Sequence, residues 1–164
     1  MDVRDLILVG QVSSVDPENC RARVAFDTLD GMVSYDLPVL QPRTVNAQHY
    51  SLPEPGEHVF CIFLPTGIEE GFIVGSYYTG GNKPPKSDDG IYYTKYSDGT
   101  LIEYDMNTAT LTVDAAENIT IRGLNISIMG NVFINGHLSV QGNISNTGSM
   151  QTCGVHTDGI GGHY

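Results

Sequence analysis

Short apolar runs alternate with turn-forming residues throughout the first half of the chain. Five runs have the length of a β-strand, and in chain order they span residues 6–15, 20–26, 32–40, 58–64 and 71–78. Turn residues such as Asp16-Pro17-Glu18-Asn19 separate them, because proline and short polar side chains suit tight bends. Five short strands in this space predict a small β-barrel of the OB type.

The second run shows which side of a strand should face the core. Arg21 and Arg23 alternate with small or apolar residues, and alternation with a period of two places the arginines in solvent. The residues predicted to share the buried face are Cys20, Ala22, Val24 and Phe26. The run at 58–64 is instead apolar almost throughout, and 41–55, with three prolines, predicts a long surface loop.

The chain changes character after residue 78. Residues 79–90 are polar and rich in glycine and proline, which predicts a linker between two structural regions. Beyond it, two strand-like runs at 91–96 and 100–104 flank Ser97-Asp98-Gly99. Because Asp-Gly is a strong hairpin signal, these runs should pair as a hairpin.

A short repeat occupies the sequence from residue 118. Pairs of aliphatic residues, two positions apart, are followed by a glycine, and the glycines are spaced by seven, six, six and six residues. The pairs are Ile119 and Ile121, Ile126 and Ile128, Val132 and Ile134, and Leu138 and Val140, followed by a weaker repeat at Ile144. Both members of a pair share one face, and glycine allows the backbone to turn, as in a β-helix.

This repeat is too short to form a core within one chain. A three-sided coil uses about three hexads, so five repeats give fewer than two coils, below the roughly three stacked units that bury a continuous core. Three copies around one axis would fill a shared interior and pair their strand edges with one another. We therefore expect an all-β homotrimer, with an amino-terminal OB-fold barrel and a carboxy-terminal intertwined triple-stranded β-helix.

Charge and cysteine content narrow the function further. The 164 residues include 8 Lys and Arg against 19 Asp and Glu, a net charge of −11, so nucleic acid is not expected as a partner. The apolar run at 6–9 is too short for a signal peptide or membrane span, which favours synthesis in the cytoplasm. Of the three cysteines, Cys20 and Cys61 lie in strand-like runs and are expected to be small core residues.

No residue pattern predicts catalysis. The acidic pairs Glu69-Glu70 and Asp88-Asp89 lie on predicted loops, where solvated turns are the ordinary explanation, and no nucleophile–histidine set stands out. The chain also lacks room for a separate hydrolase domain. We predict that it is not an enzyme and assign no catalytic residue.

Two histidines near the end of the chain are candidate metal ligands. His156 and His163 lie in a glycine-rich stretch, and three copies would offer six imidazole nitrogens around an axial ion. Six nitrogens suit an octahedral transition metal such as iron better than four-coordinate zinc. Cys153 is another candidate ligand or a small residue on the axis, and an ordinary frayed terminus is the alternative to any metal site.

Three segments resemble the spike family that includes phage baseplate assembly protein V and VgrG. Residues 52–67 and 71–78 are similar to the barrel of that family, and residues 96–105 are similar to its barrel-to-needle segment. The resemblance covers nearly the whole chain in domain order. It divides the chain into a barrel at 1–78, a neck and hairpin at 79–100, a β-helical needle at 101–152 and an apex at 153–164.

The resemblance implies the central spike of a contractile phage tail or phage-tail-like particle. The barrels of a homotrimer would be seated on baseplate hub and tail-tube proteins, and the needle would pierce the target-cell envelope mechanically. The resemblance also implies an iron ion at the apex, although family members use a His-x-His pair, whereas His156 and His163 are seven residues apart. A separate tip-capping protein would leave these histidines unused. The alternative is an OB-type binding module for oligosaccharide or single-stranded nucleic acid with a trimerising tail.

Overall fold

The computed structural model describes residues 6–65, 70–151 and 153. Within that part, strands, turns and one short 3₁₀ turn at Asp27–Leu29 make up the regular structure, with no α-helix. The prediction of an all-β protein is therefore confirmed. The strands are β1 (Ile7–Asp16), β2 (Arg21–Phe26), β3 (Met32–Val33), β4 (Leu37–Pro38), β5 (His58–Phe63), β6 (Gly71–Ser76), β7 (Ile91–Lys95), β8 (Leu101–Asp105) and β9 (Thr110–Asp114).

The first six strands form one sheet. Its order is β3-β2-β1-β5-β6. β4 also pairs with β2, next to the start of that strand, whereas β3 pairs with its end. Every pairing between these strands is antiparallel. A parallel bridge between Val39 and Ile73 then connects the segment after β4 to β6. The Leu40 amide supports it by donating to the Ile73 carbonyl at 2.9 Å. The two ends of the sheet are therefore joined through this bridge.

The core lies inside this curved sheet and is apolar. Phe26 and Phe63 meet edge to face with ring centroids 5.7 Å apart. Gly10 allows β1 to approach β2 closely, since a Cβ there would lie 2.4 Å from the Ala25 carbonyl oxygen. The buried hydrophobic residues that form the core are Val12, Ala22, Val24, Phe26, Leu37, Val59, Cys61, Phe63 and Ile73.

Most predicted strands of the first half are present, with two corrections. The run predicted at 32–40 is two short strands, separated by residues 34–36. The Ser34 amide still donates to the Val24 carbonyl at 2.8 Å, but the Val24 amide donates at 3.0 Å to the Ser34 hydroxyl instead of to a carbonyl, which interrupts the ladder. Cys20 is only half-buried and lies outside β2. Its φ of 53° places it in the left-handed region at the end of the turn before that strand. The arginines of β2 are exposed as predicted.

Strands β7, β8 and β9 form a separate antiparallel sheet. The predicted hairpin joins β7 to β8, and Gly99 takes a φ of 95° at its turn. The amide of Tyr96 donates to Thr100, and the Asp98 carboxylate accepts from the Thr100 amide at 2.8 Å. The hairpin prediction is confirmed at the residues that the Asp-Gly signal indicated.

Two compact units divide the chain, Met1–Glu117 and Asn118–Tyr164. The first contains all nine named strands. In the second, the described residues, 118–151 and 153, form bends and extended stretches but no strand. The predicted intertwined β-helix thus stays a prediction, as do the homotrimer, the OB assignment and the domain boundaries.

Candidate functional site

The aliphatic pairs of the repeat have no partner within their own chain. Every described residue from 118 onward is exposed, and the paired aliphatic side chains range from 47% exposure at Val140 to 72% at Ile128. Monomeric proteins rarely leave a long apolar series uncovered, and such surfaces mark sites of association. The repeat is therefore the first candidate for a functional surface.

The backbone of the repeat is equally unpaired. No hydrogen bond joins two backbone groups within residues 118–151, and the Asn146 side chain donating to the Gly148 carbonyl is the one polar contact in this stretch. Extended chains satisfy their N–H and C=O groups by pairing with another strand or with water. The exposed aliphatic side chains and the unpaired backbone together make the repeat a candidate surface for pairing with another strand.

Glycine is required at three of the predicted corners for a backbone reason. Gly130, Gly136 and Gly142 have φ values of 140°, 149° and 140°, which L side chains rarely adopt. A Cβ at any of them would meet nothing within 4 Å, so crowding is not the cause. Gly123 and Gly148, at the two ends of the repeat, lack this positive φ.

A second uncovered apolar surface lies on the sheet of β7, β8 and β9. The register aligns Tyr92 with Tyr104 and Tyr104 with Leu111, and in the next row it aligns Ile102 with Val113. All five side chains are at least two-fifths exposed. We call this set, Tyr92, Ile102, Tyr104, Leu111 and Val113, the sheet face. Sequence analysis did not identify it, although its signal was the alternation within 100–104 and 111–114.

The opposite side of the same sheet is more polar and already has partners, although Ile91 and Leu101 also lie on it. Lys86 forms an ion pair with Glu103 at 2.7 Å, and its ammonium lies 5.1 Å from the centroid of the Tyr93 ring. The hydrogen bond to Glu103 raises the pKa of Lys86. This small sheet therefore has one side suited to solvent and one side suited to another apolar surface.

A tyrosine-lined cleft of about 510 Å³ lies in the first unit. Tyr78, Tyr93 and Tyr96 line it together with two lysines and two glutamates. The four charged residues are Lys83, Lys95, Glu54 and Glu57. Tyrosines are suited to stacking on sugars or bases, but the equal number of carboxylates denies the cleft the positive charge that nucleic acid requires.

Groups that could carry catalysis have ordinary structural roles where the structure describes them. Burial raises the pKa of the Cys61 thiol to about 12, so this cysteine is a poor nucleophile. The Asp88 carboxylate accepts from the Gly90 amide at 2.8 Å and thereby closes a turn. Ser76 donates its hydroxyl to Glu57 at 2.6 Å, but no histidine joins that contact.

The predicted metal ligands His156 and His163 lie outside the described residues, and so does Glu69 of the first acidic pair. Cys153 is described and exposed. In the ranges 6–65 and 70–151 with residue 153, no three His, Cys, Asp or Glu side chains come together as a metal site. No helix in the same ranges is long and apolar enough to cross a membrane.

Sequence similarity relates the chain to a phage protein. No protein-family model matches the chain. The spike protein of Escherichia phage P2 is 25% identical over 119 residues. The chain is similar to a phage spike protein. The aligned segment covers 73% of this chain and 55% of the P2 protein, so it spans about half the length of that relative.

Proposed function

We propose that the protein is the homotrimeric central spike of a contractile phage tail or phage-tail-like particle, and that it pierces the target-cell envelope mechanically. The observation that carries the proposal is the repeat, whose aliphatic pairs and backbone groups lack partners within one chain. Similarity to the P2 spike protein supports the association with a phage tail and a structural, non-enzymatic role. The protein would be a component of the virion or particle.

Three copies account for both uncovered surfaces of the carboxy-terminal half. Around a threefold axis, the repeat aliphatics fill one interior, and the strand edges of each chain pair with those of its neighbours. The sheet face adds a second apolar contact ahead of the repeat. Outside the aliphatic pairs the repeat consists mainly of Asn, Ser, Thr and Gln, with Arg122 its one charged residue, although Leu124, Met129 and Phe133 are more than 90% exposed. A nearly uncharged exterior of this kind suits a narrow shaft.

The amino-terminal sheet supports an OB-type barrel as the base of the spike. Its pairing order, with the segment after β4 parallel to β6, agrees with a five-stranded Greek-key barrel in which β3 and β4 count as one broken strand. In the proposed spike, these barrels attach to the baseplate hub and tail-tube proteins. The needle would point at the target cell.

The apex would be closed by an iron ion that His156 and His163 of all three chains coordinate. Six imidazole nitrogens form a set suited to octahedral iron, and the ion would hold the three chain ends together. A separate tip-capping protein is the other way of covering this end. In either case the apex has no chemical step to perform, because the proposed work is mechanical.

The second candidate function is an OB-type binding module with a trimerising tail. The tyrosine-lined cleft favours this candidate for oligosaccharide, because aromatic rings stack on sugars. Its two glutamates and the net charge of −11 count against single-stranded nucleic acid. The spike accounts for the repeat, whereas a binding module leaves the repeat without a role.

The deciding experiment removes the protein from its particle. Particles assembled in a host that lacks this gene should still adsorb to target cells but fail to depolarise their envelopes, and the wild-type gene should restore the effect. A repeat variant, Ile128→Asp with Ile134→Asp, should not restore it, whereas Asn125→Asp should. Full envelope damage by particles that lack the protein would contradict the proposal.

A further inference from the structure

The outer side of the barrel is apolar over three adjacent strands. Where β1, β5 and β6 pair, their inward residues fill the core, and their outward residues would normally be polar. Here Ile7 is 53% exposed and lies opposite Ile62, which is 41% exposed. Gln11 and His58, paired at one end of this stretch, also point outward and are polar. We call the apolar outward residues the barrel face; they are Ile7, Val9, Phe60, Ile62, Phe72 and Val74.

The barrel face carries no formal charge, in contrast to the rest of the barrel. No Asp, Glu, Lys or Arg is among the outward residues of the described stretch in which β1, β5 and β6 pair. On β2 the outward residues are Arg21, Arg23 and Ala25, and Arg23 binds Asp36 at 2.8 Å. That contact lowers the pKa of Asp36, as expected for a carboxylate beside a guanidinium. The barrel therefore has one charged side and one uncharged, apolar side.

We propose that the barrel face is a contact between neighbouring copies of this chain. The net charge of −11 is the same on every copy, so copies meet at lowest electrostatic cost where neither brings carboxylates to the contact. Interfaces within homodimers are also more apolar than the rest of the protein surface, and interface cores are depleted in charged residues. A partner of opposite charge would instead be recognised by the acidic surface that this face avoids.

This inference rests on the proposed trimer and extends it from the needle to the barrel. The barrel and the sheet of β7, β8 and β9 belong to the same compact unit. When three sheet faces associate, three barrels are held near one another, and a second contact between them becomes intramolecular. A modest apolar patch is then sufficient, because tethering raises the effective concentration of its partner. Around a threefold axis, each barrel face can meet both of its neighbours.

Covalent footprinting of the full-length protein tests the proposal. A photolysed diazirine reagent labels exposed side chains, mass spectrometry locates the label, and light scattering on the same sample gives the oligomer. We expect several-fold less labelling of Val9 and Ile62 than of Tyr35 and Val45, which are exposed on loops of the same barrel. Because all four side chains are exposed in the single chain, a monomer should be labelled at each of them.

Pairs of variants distinguish protection by a neighbouring copy from protection against labelling that has another cause. Ile62→Lys should raise the labelling of Val9 severalfold, because a lysine opens the contact, and Val74→Lys is the second variant in case the first fails to fold. Ser14→Lys adds the same charge at an exposed position of β1 outside the barrel face and should leave the labelling unchanged.

The outcomes distinguish this inference from the proposed function. A wild-type trimer in which Val9 and Ile62 label like Tyr35 overturns the barrel contact and leaves the spike intact. A trimer whose protection survives both Ile62→Lys and Val74→Lys also overturns it. A wild-type monomer overturns the proposed trimer and the barrel contact together.

Discussion

The glycines of the repeat differ in what they contribute, and the difference appears only in their backbone angles. Gly136 has a φ of 149°, whereas Gly148 has no such strained angle, and neither would place a Cβ against another atom in the single chain. A side chain at Gly136 would therefore act through backbone strain alone. This pair allows the role of the corner to be separated from the loss of glycine flexibility.

Gly136→Ala should destabilise the protein by about 1–3 kcal/mol per chain, because alanine is strained in a conformation that is nearly exclusive to glycine. Gly148→Ala should change stability little. Thermal unfolding of the two full-length variants, followed by circular dichroism, measures the difference. Equal melting temperatures would contradict the assignment of Gly136 as a required corner.

Core residues of the barrel were predictable where a strand alternates. Ala22, Val24 and Phe26 lie on the buried side of β2 as the sequence indicated. Cys20 follows the same spacing but lies in the turn, where a φ of 53° removes it from the strand. Periodicity identifies a face only as far as the strand continues, and the strand's first residue is set by turn geometry.

At the scale of elements, the sheet of β7, β8 and β9 links the barrel to the repeat in sequence. One of its sides has polar partners, including the ion pair of Lys86 with Glu103, and the other is the uncovered sheet face. A three-stranded sheet needs an apolar side packed against something to be stable. In the proposed spike, the sheet faces of the other copies provide that packing.

Leu111→Lys should weaken the trimer, because it removes a leucine that the proposed contact would bury, worth about 1.5–3 kcal/mol per chain, and places a charge in that contact. Thr112→Lys, on the same strand but opposite Glu103, should keep the trimer. Light scattering over a dilution series measures the share of trimer for both variants. If the two variants dissociate alike, the sheet face is not a contact between copies.

At the scale of the whole molecule, the single chain leaves a large apolar surface uncovered in each unit. The sheet face, the barrel face and the repeat are three such surfaces, and a net charge of −11 opposes random association among copies. Uncharged apolar surfaces at defined positions can overcome that repulsion, whereas single apolar residues scattered over the molecule cannot. The proposed oligomer would satisfy both features.

Light scattering combined with elemental analysis of the purified protein should give about three chains per oligomer and about one iron per three chains. His163→Ala should lose the iron and keep the mass, because the repeat and not the ion supplies most of the contact between chains. Absence of metal from the wild-type trimer would contradict the iron site alone. A stable, fully folded monomer in dilute solution would contradict the trimer and the spike with it.

The sequence by itself determined the local features of this protein. The strands of the first half, the Asp98-Gly99 hairpin and the glycine-punctuated repeat depend on neighbouring residues only, so alternation and turn signals located them. The prediction that copies associate was based on the number of repeats, which is too small for a core within one chain, and it stays a prediction. The apical histidines and the intertwined needle stay predictions at this level.

Only the tertiary structure decided which apolar surfaces stay exposed after the strands pair. The break between β3 and β4, the bridge from Val39 to Ile73 and the apolar barrel face all result from contacts between residues distant in sequence. The apolar run at 58–64 indicated that β5 is apolar on both sides, but not that β1 and β6 extend its outer side into one patch. Pairing and register are non-local, and so is any surface that several strands build together.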